Sequence, residues 1–98
     1  MNLQAMMKQA QKLQKDMLSE KEKIDNTIFT GKSSIVEATL KGTKEVIGVK
    51  ILADSLDGDD IEMLQDMIMV AINDAMKQID KETENKMGKY TQGMPGLF

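Results

Sequence analysis

Residues 61–79, Ile-Glu-Met-Leu-Gln-Asp-Met-Ile-Met-Val-Ala-Ile-Asn-Asp-Ala-Met-Lys-Gln-Ile, limit what this chain can become more than any other stretch. Ile61, Leu64, Ile68, Ala71, Ile72, Ala75 and Ile79 recur at helical spacing and form an ordinary core stripe. Met63, Met67, Met69, Val70 and Met76 then spread around the cylinder, and residues 67–72 are apolar without a break. A helix apolar on most sides must be covered on most sides. A chain of 98 residues has little else to cover it with. A second copy is therefore expected to supply the missing layer, with Leu64, Met67, Ile68, Ala71, Ile72 and Ala75 as the expected dimer core.

That length fits one domain over residues 1–98, near the small end of what a single core supports. Three aromatics against ten methionines point to a core of flexible side chains that adapt across an interface. Without cysteine or histidine the chain offers no disulfide, no thiolate ligand and no ordinary neutral-pH base. No cofactor, metal or small-molecule substrate is expected. The N-terminus carries no signal-like segment and no apolar run approaches the ~18 residues of a membrane span. The chain therefore reads as cytosolic, with no membrane partner. All thirteen cationic side chains are lysines and the net charge is −3. Lacking the arginine fork, any nucleic-acid binding is expected to be weakly sequence-selective.

From Leu3 to about Asp25 the chain is rich in Gln, Lys, Met and Leu and free of Gly and Pro, which predicts a long helix. Leu3, Met6, Ala10, Leu13, Met17 and Ile24 fall on a heptad seam, broken only by Glu20. Lys8, Lys12 and Lys15 lie on roughly the opposite side. No acidic side chain precedes Asp16, so this half-helix is a local cationic patch together with the N-terminal amine. A solvated face usually mixes both signs, as Lys21, Glu22 and Lys23 do further along. Gln4, Gln9, Gln11 and Gln14 add groups able to reach phosphates or base edges.

The period then changes to two. A short extended piece at 27–30 leads into a loop signal at 31–33, and residues 34–41 alternate with Val36, Ala38 and Leu40 on one face. Gly42-Thr43-Lys44 makes a turn, and residues 45–52 alternate again with Ile47, Val49 and Ile51 inward. Ile35, Val46 and Leu52 fall on the nominal outer face, which hints that this face is partly covered too. The acids at 54–60 lack the ligand order of a calcium loop. Asp59 as a helix cap, with Glu62 completing a capping box, explains them. Gly88 is a natural helix stop, leaving residues 89–98 as an expected flexible tail, or one docked through Met94, Leu97 and Phe98.

Three pieces in order carry a resemblance. They are residues 6–14 (Met-Met-Lys-Gln-Ala-Gln-Lys-Leu-Gln), the Gly42 turn with residues 45–51 (Glu-Val-Ile-Gly-Val-Lys-Ile), and residues 64–66 and 71–75 with Lys86-Met87-Gly88 and Gly93-Met94-Pro95-Gly96. Together the chain resembles the YbaB/EbfC family of bacterial nucleoid-associated proteins over essentially its whole length. It departs at Lys32-Ser33-Ser34-Ile35, where the family often has a Gly-rich run, and at Leu52-Ala53-Asp54, where it often has Asp-Pro. Both departures bear on loop shape. The resemblance implies an α+β subunit of order α-β-β-β-α, a tweezer-shaped homodimer, and cytoplasmic DNA binding at the nucleoid. DNA contact by the first and last long helices, carried onto this chain, points to Lys8, Gln9, Lys12 and Lys15, with Lys77 and Lys81 as secondary candidates.

The leading expectation is thus a homodimer that binds duplex DNA mainly through phosphates. A protein–protein scaffold using the first helix or the tail is the alternative class. Catalysis is disfavoured, because without His or Cys it would need a carboxylate pair, Lys or Tyr in a cleft.

Overall fold

The computed structural model describes residues 2–91. Its order is helix α1 (Leu3–Asp25), strands β1 (Ile28–Ser33), β2 (Val36–Lys41) and β3 (Val46–Ile51), a 3-10 turn at Gly58–Asp60, and helix α2 (Ile61–Thr91). The α-β-β-β-α arrangement is the one expected. All three strands are antiparallel, in the spatial order β1-β2-β3.

The core follows from which face of each element is apolar. Val36, Ala38 and Leu40 alternate along β2 and are fully buried, together with Ala71, Ala75 and Ile79 of α2. Phe29, Leu64, Met67, Ile68, Ile72 and Met76 pack around them half-buried. The sheet opposes Gly31 to Ala38, and a Cβ on Gly31 would overlap the Ala71 carbonyl oxygen. Small residues at Gly31, Ala38, Ala71 and Ala75 therefore let the helix backbone rest almost on the strand. The apolar stripe of α2 is spent largely on its own sheet, and Ala71 and Ala75 have no surface left to offer a second chain.

Three local expectations need correction. Residues 31–33 continue β1 instead of forming a loop, and the reversal is a two-residue turn at Ser34 and Ile35 with Ser34 at φ 49°. The reciprocal cap before α2 lies two residues earlier than Asp59 and Glu62: the Asp60 carboxylate accepts from the Asp57 N–H at 3.1 Å. Helix α2 also runs through Gly88 to Thr91. Glycine inside a helix costs ~1 kcal/mol relative to alanine. Met87 and Tyr90 offset that by closing on Ile24 of α1, with Met17 against them, in a second buried cluster. Lys89, Tyr90 and Thr91 are thus helical. Met94, Leu97 and Phe98 lie outside the described residues.

The β2–β3 turn fixes where α1 ends. Lys44 N–H donates to the Lys41 carbonyl at 2.8 Å, and Lys44 adopts the left-handed conformation at φ 75°. This is a three-residue hairpin loop of the bulged kind. A Cβ on Gly42 would overlap the Ile24 carbonyl oxygen, so the turn is pressed against the last turn of α1. N-terminal to Met17, α1 stands alone. The radius of gyration is 19.3 Å, where a compact domain of this length would have ~13 Å.

Candidate nucleic-acid interface

The free part of α1 is a projecting arm. Every residue from Asn2 to Asp16 is exposed, and Met17 is the first to be partly covered. The arm is helical because its local choices agree: no Gly or Pro interrupts it, and Asn2 caps its start. The Asn2 Oδ1 accepts from the N–H groups of Gln4 at 3.1 Å and Ala5 at 3.4 Å. A side-chain cap of this kind satisfies donors that the first turn leaves orphaned.

Lys8, Lys12 and Lys15 are exposed along one side of this arm. None has an ion-pair partner among the described residues, whereas Lys21, Lys23, Lys32 and Lys44 are paired to Asp25, Glu20, Glu37 and Asp80. From Lys8 to Lys15 the stripe rises ~10 Å at 1.5 Å per residue. The opposite side carries the seam, with Leu3, Met6 and Leu13 exposed. Gln9 is exposed on the border between the two faces. Chemically the arm is a set of point cations on a rod whose first acid is Asp16, one turn beyond Lys12, with the positive end of a helix dipole at its tip. The N-terminal amine expected to join them lies outside the described residues.

Lys77 and Lys81 are exposed too, but on the body. The shared cluster of Ile24 and Met87 allows the separation to be counted along both helices. Lys8 lies toward the tip of α1 and Lys77 lies in the opposite direction along α2, which places the two sets roughly 40 Å apart. The four arm residues are brought together; the two α2 lysines are not brought to them. Asp74 and Asp80, which flank those lysines in sequence, have partners elsewhere, at Lys32 and Lys44.

A second feature of the surface was only hinted at by the sequence. All six residues of β3 are exposed, with Val46, Val49 and Ile51 at 42%, 44% and 40%. Val49 and Ile51 stand opposite Ala38 and Val36, on the face that seeks a helix. Yet α2 lies over β1 and β2 and leaves β3 uncovered. Helical periodicity places Ile61, Ile68, Ile72 and Met76 on the flank of α2 turned toward β3, with Ile61 exposed and the other three half-buried. The result is an apolar shelf beside an unpaired strand edge. The alternation of apolar residues on both faces of residues 46–52 was its signal in the sequence.

No helix among the described residues is long and apolar enough to cross a membrane. The profile of the YbaB/EbfC DNA-binding family matches residues 1–94. A nucleoid-associated protein of Lactococcus lactis subsp. cremoris (strain MG1363) is 50% identical, over 97% of this chain and 98% of its own. One of Ligilactobacillus salivarius (strain UCC118) is 42% identical, over 99% of this chain and 95% of its own. The crystal structure of an uncharacterized Helicobacter pylori protein superposes with a TM-score of 0.74 at 27% identity, covering 92% of this chain and 97% of that one. The helix–sheet–helix architecture and these full-length likenesses agree, and the chain belongs to the YbaB/EbfC DNA-binding family.

Proposed function

We propose that two copies of this chain pair through β3 and the adjoining flank of α2, and that the pair holds duplex DNA at the nucleoid with its two α1 arms. The observation that carries this reading is the segregation on α1: three exposed, unpaired lysines on a free helix with no acid before Asp16. Elsewhere the chain is acidic enough to repel a polyanion, so contact is confined to the arms. Point-charge ammonium groups on phosphates position a duplex without reading its bases, which gives low sequence selectivity.

Pairing through β3 is supported by the unmet needs of that region. Its outer edge has no hydrogen-bond partner among the described residues, and its apolar face is uncovered. A second copy meets both needs with the same surface, as a two-fold interface requires. Ile68 and Ile72 of the sequence-derived dimer core lie on this flank. Ala71 and Ala75 are buried against their own sheet, and Leu64 and Met67 pack partly buried against the same core.

Replacing Lys8, Lys12 and Lys15 with Glu should weaken duplex binding at low salt by about a hundredfold or more, leaving the dimer intact. Six arm lysines on phosphates predict a log–log salt slope of roughly −5. The same affinity, within about tenfold, is expected for unrelated duplexes. Unchanged affinity in the triple variant would remove the arms from the interface. The exposed Leu3, Met6 and Leu13 favour a second reading, in which the arm docks a protein. On that reading Gln at these three positions abolishes partner binding, and the partner binds undiminished in excess DNA.

A further inference from the structure

The sheet has a second free edge, and the chain treats it differently. In a strand, the N–H and C=O of one residue point to the same side, so alternate residues face each edge. Ile28, Thr30 and Lys32 are the residues of β1 whose backbone faces away from β2. Thr30 and Lys32 are engaged by side chains of α2. The Gln78 Nε2 donates to the Thr30 carbonyl at 2.8 Å, and the Lys32 N–H donates to Asp74 Oδ2 at 3.0 Å. The Gln78 amide also reaches Asp74 Oδ2 at 3.5 Å, so the pair forms one small network one helical turn apart.

We infer that β1 is a latent strand-docking edge for a further copy of this chain, and that Asp74 and Gln78 guard it so that assembly stops at two. The inference rests on the β3 pairing proposed above. Two copies joined along β3 leave two β1 edges at the outer margins of a continuous sheet. Open strand edges accept other strands. An unguarded β1 would accept the β1 of another dimer, and each addition would expose a new edge, so growth would not close. Asp74 and Gln78 occupy the central carbonyl and amide that an incoming strand needs first. Neither residue is needed for the core, whose α2 contacts come from the adjacent apolar stripe.

The test compares sedimentation of the full chain with that of D74A/Q78A. Wild type is expected as two copies. The variant is expected to form assemblies whose mass exceeds two copies and rises with concentration, several-fold at the highest. Adding T30P should return it to two copies, because that N–H faces outward and proline removes it without touching the β1–β2 ladder. A folded D74A/Q78A that stays at two copies overturns the inference. Larger assemblies that T30P does not reverse overturn it as well. Should D74A/Q78A lose helix content, Q78A alone, which bares only the Thr30 carbonyl, takes its place with the same outcomes. A monomeric wild type would sink the β3 pairing by itself. The guard would then be judged by whether D74A/Q78A associates from the monomer and T30P reverses it.

Discussion

The two edges of one three-stranded sheet are finished in opposite ways. At β1 the helix lies so close that Gly31 is obligatory, and two polar side chains fold over the rim to engage the exposed backbone. At β3 the helix is absent, the backbone edge is bare and the side chains facing inward remain 40–44% exposed. The sheet is equally short on both sides and the strands are of equal length. Strand geometry therefore does not cause the difference; it comes from how α2 is placed over the sheet. Small residues on β1 and β2 draw the helix to one side, and that offset both seals one edge and uncovers the other. A single packing choice thus leaves one edge open for the proposed pairing.

The contrast between the two edges is lost most completely if the helix is lifted. Gly31→Ala inserts a methyl group against the backbone of α2, which cannot yield as a flexible side chain would. Overpacking of this kind costs about 3 kcal/mol. A loss of that size in a domain of this length lowers Tm by on the order of 15 °C. Thermal unfolding should show it, and the β1 amides should lose protection from exchange before those of β2. A Tm within 3 °C or so of wild type, well below the shift expected, would mean the close approach is not the pivot described.

The open edge is tested by charge. Val49→Glu with Ile51→Glu places like charges on the shelf, where a two-fold partner would bring them together. Self-association should weaken by about a hundredfold, roughly 2.7 kcal/mol. The stability of the isolated chain should change by less than ~1 kcal/mol, since both positions are already exposed. Duplex affinity should fall with the dimer although no cation is touched. Ile72 is a poorer choice for this test, because it packs half-buried against its own core. A double variant that still pairs as tightly as wild type would move the interface elsewhere.

Much of the architecture was legible in the residues, and the reason is consistent. Long unbroken periodicity gave α1, α2 and the inward face of Val36, Ala38 and Leu40. The arm was legible too, because charge segregation ahead of Asp16 is a local property. What escaped depends on partners distant in the chain. Gly88 looks like a stop until Ile24 supplies a surface for Met87 and Tyr90. Residues 31–33 look like a loop until Gly31 is needed beneath Ala71. Excess apolar surface on α2 signals a need for cover, but helical period alone does not say which part its own sheet takes. Asp74 and Gln78 read as solvated polar residues, since nothing local ties them to Thr30 and Lys32, more than forty positions away.

The smallest expected effect concerns a single hydrogen bond at the β1 edge. The Lys32 N–H, on an exposed residue, is held by the half-buried Asp74 carboxylate. Replacing Asp74 with Ala leaves that amide to water, so no buried group is orphaned and the loss is modest. A hydrogen bond to a charged acceptor contributes 1.5–3 kcal/mol when sheltered and less when solvent competes. About 1.4 kcal/mol is expected, which is about tenfold in the local exchange rate of the Lys32 amide. Amides of Phe29 and Gly31, whose backbones face β2, should change far less, because their partners are untouched. In the same measurement on wild type, the outward amides of β3 should exchange fast when the protein is dilute and slow as it pairs. The Lys32 amide should be indifferent to concentration, its partner being part of the same chain. A Lys32 amide whose protection rose with concentration would mean that β1, not β3, is the edge that meets another copy.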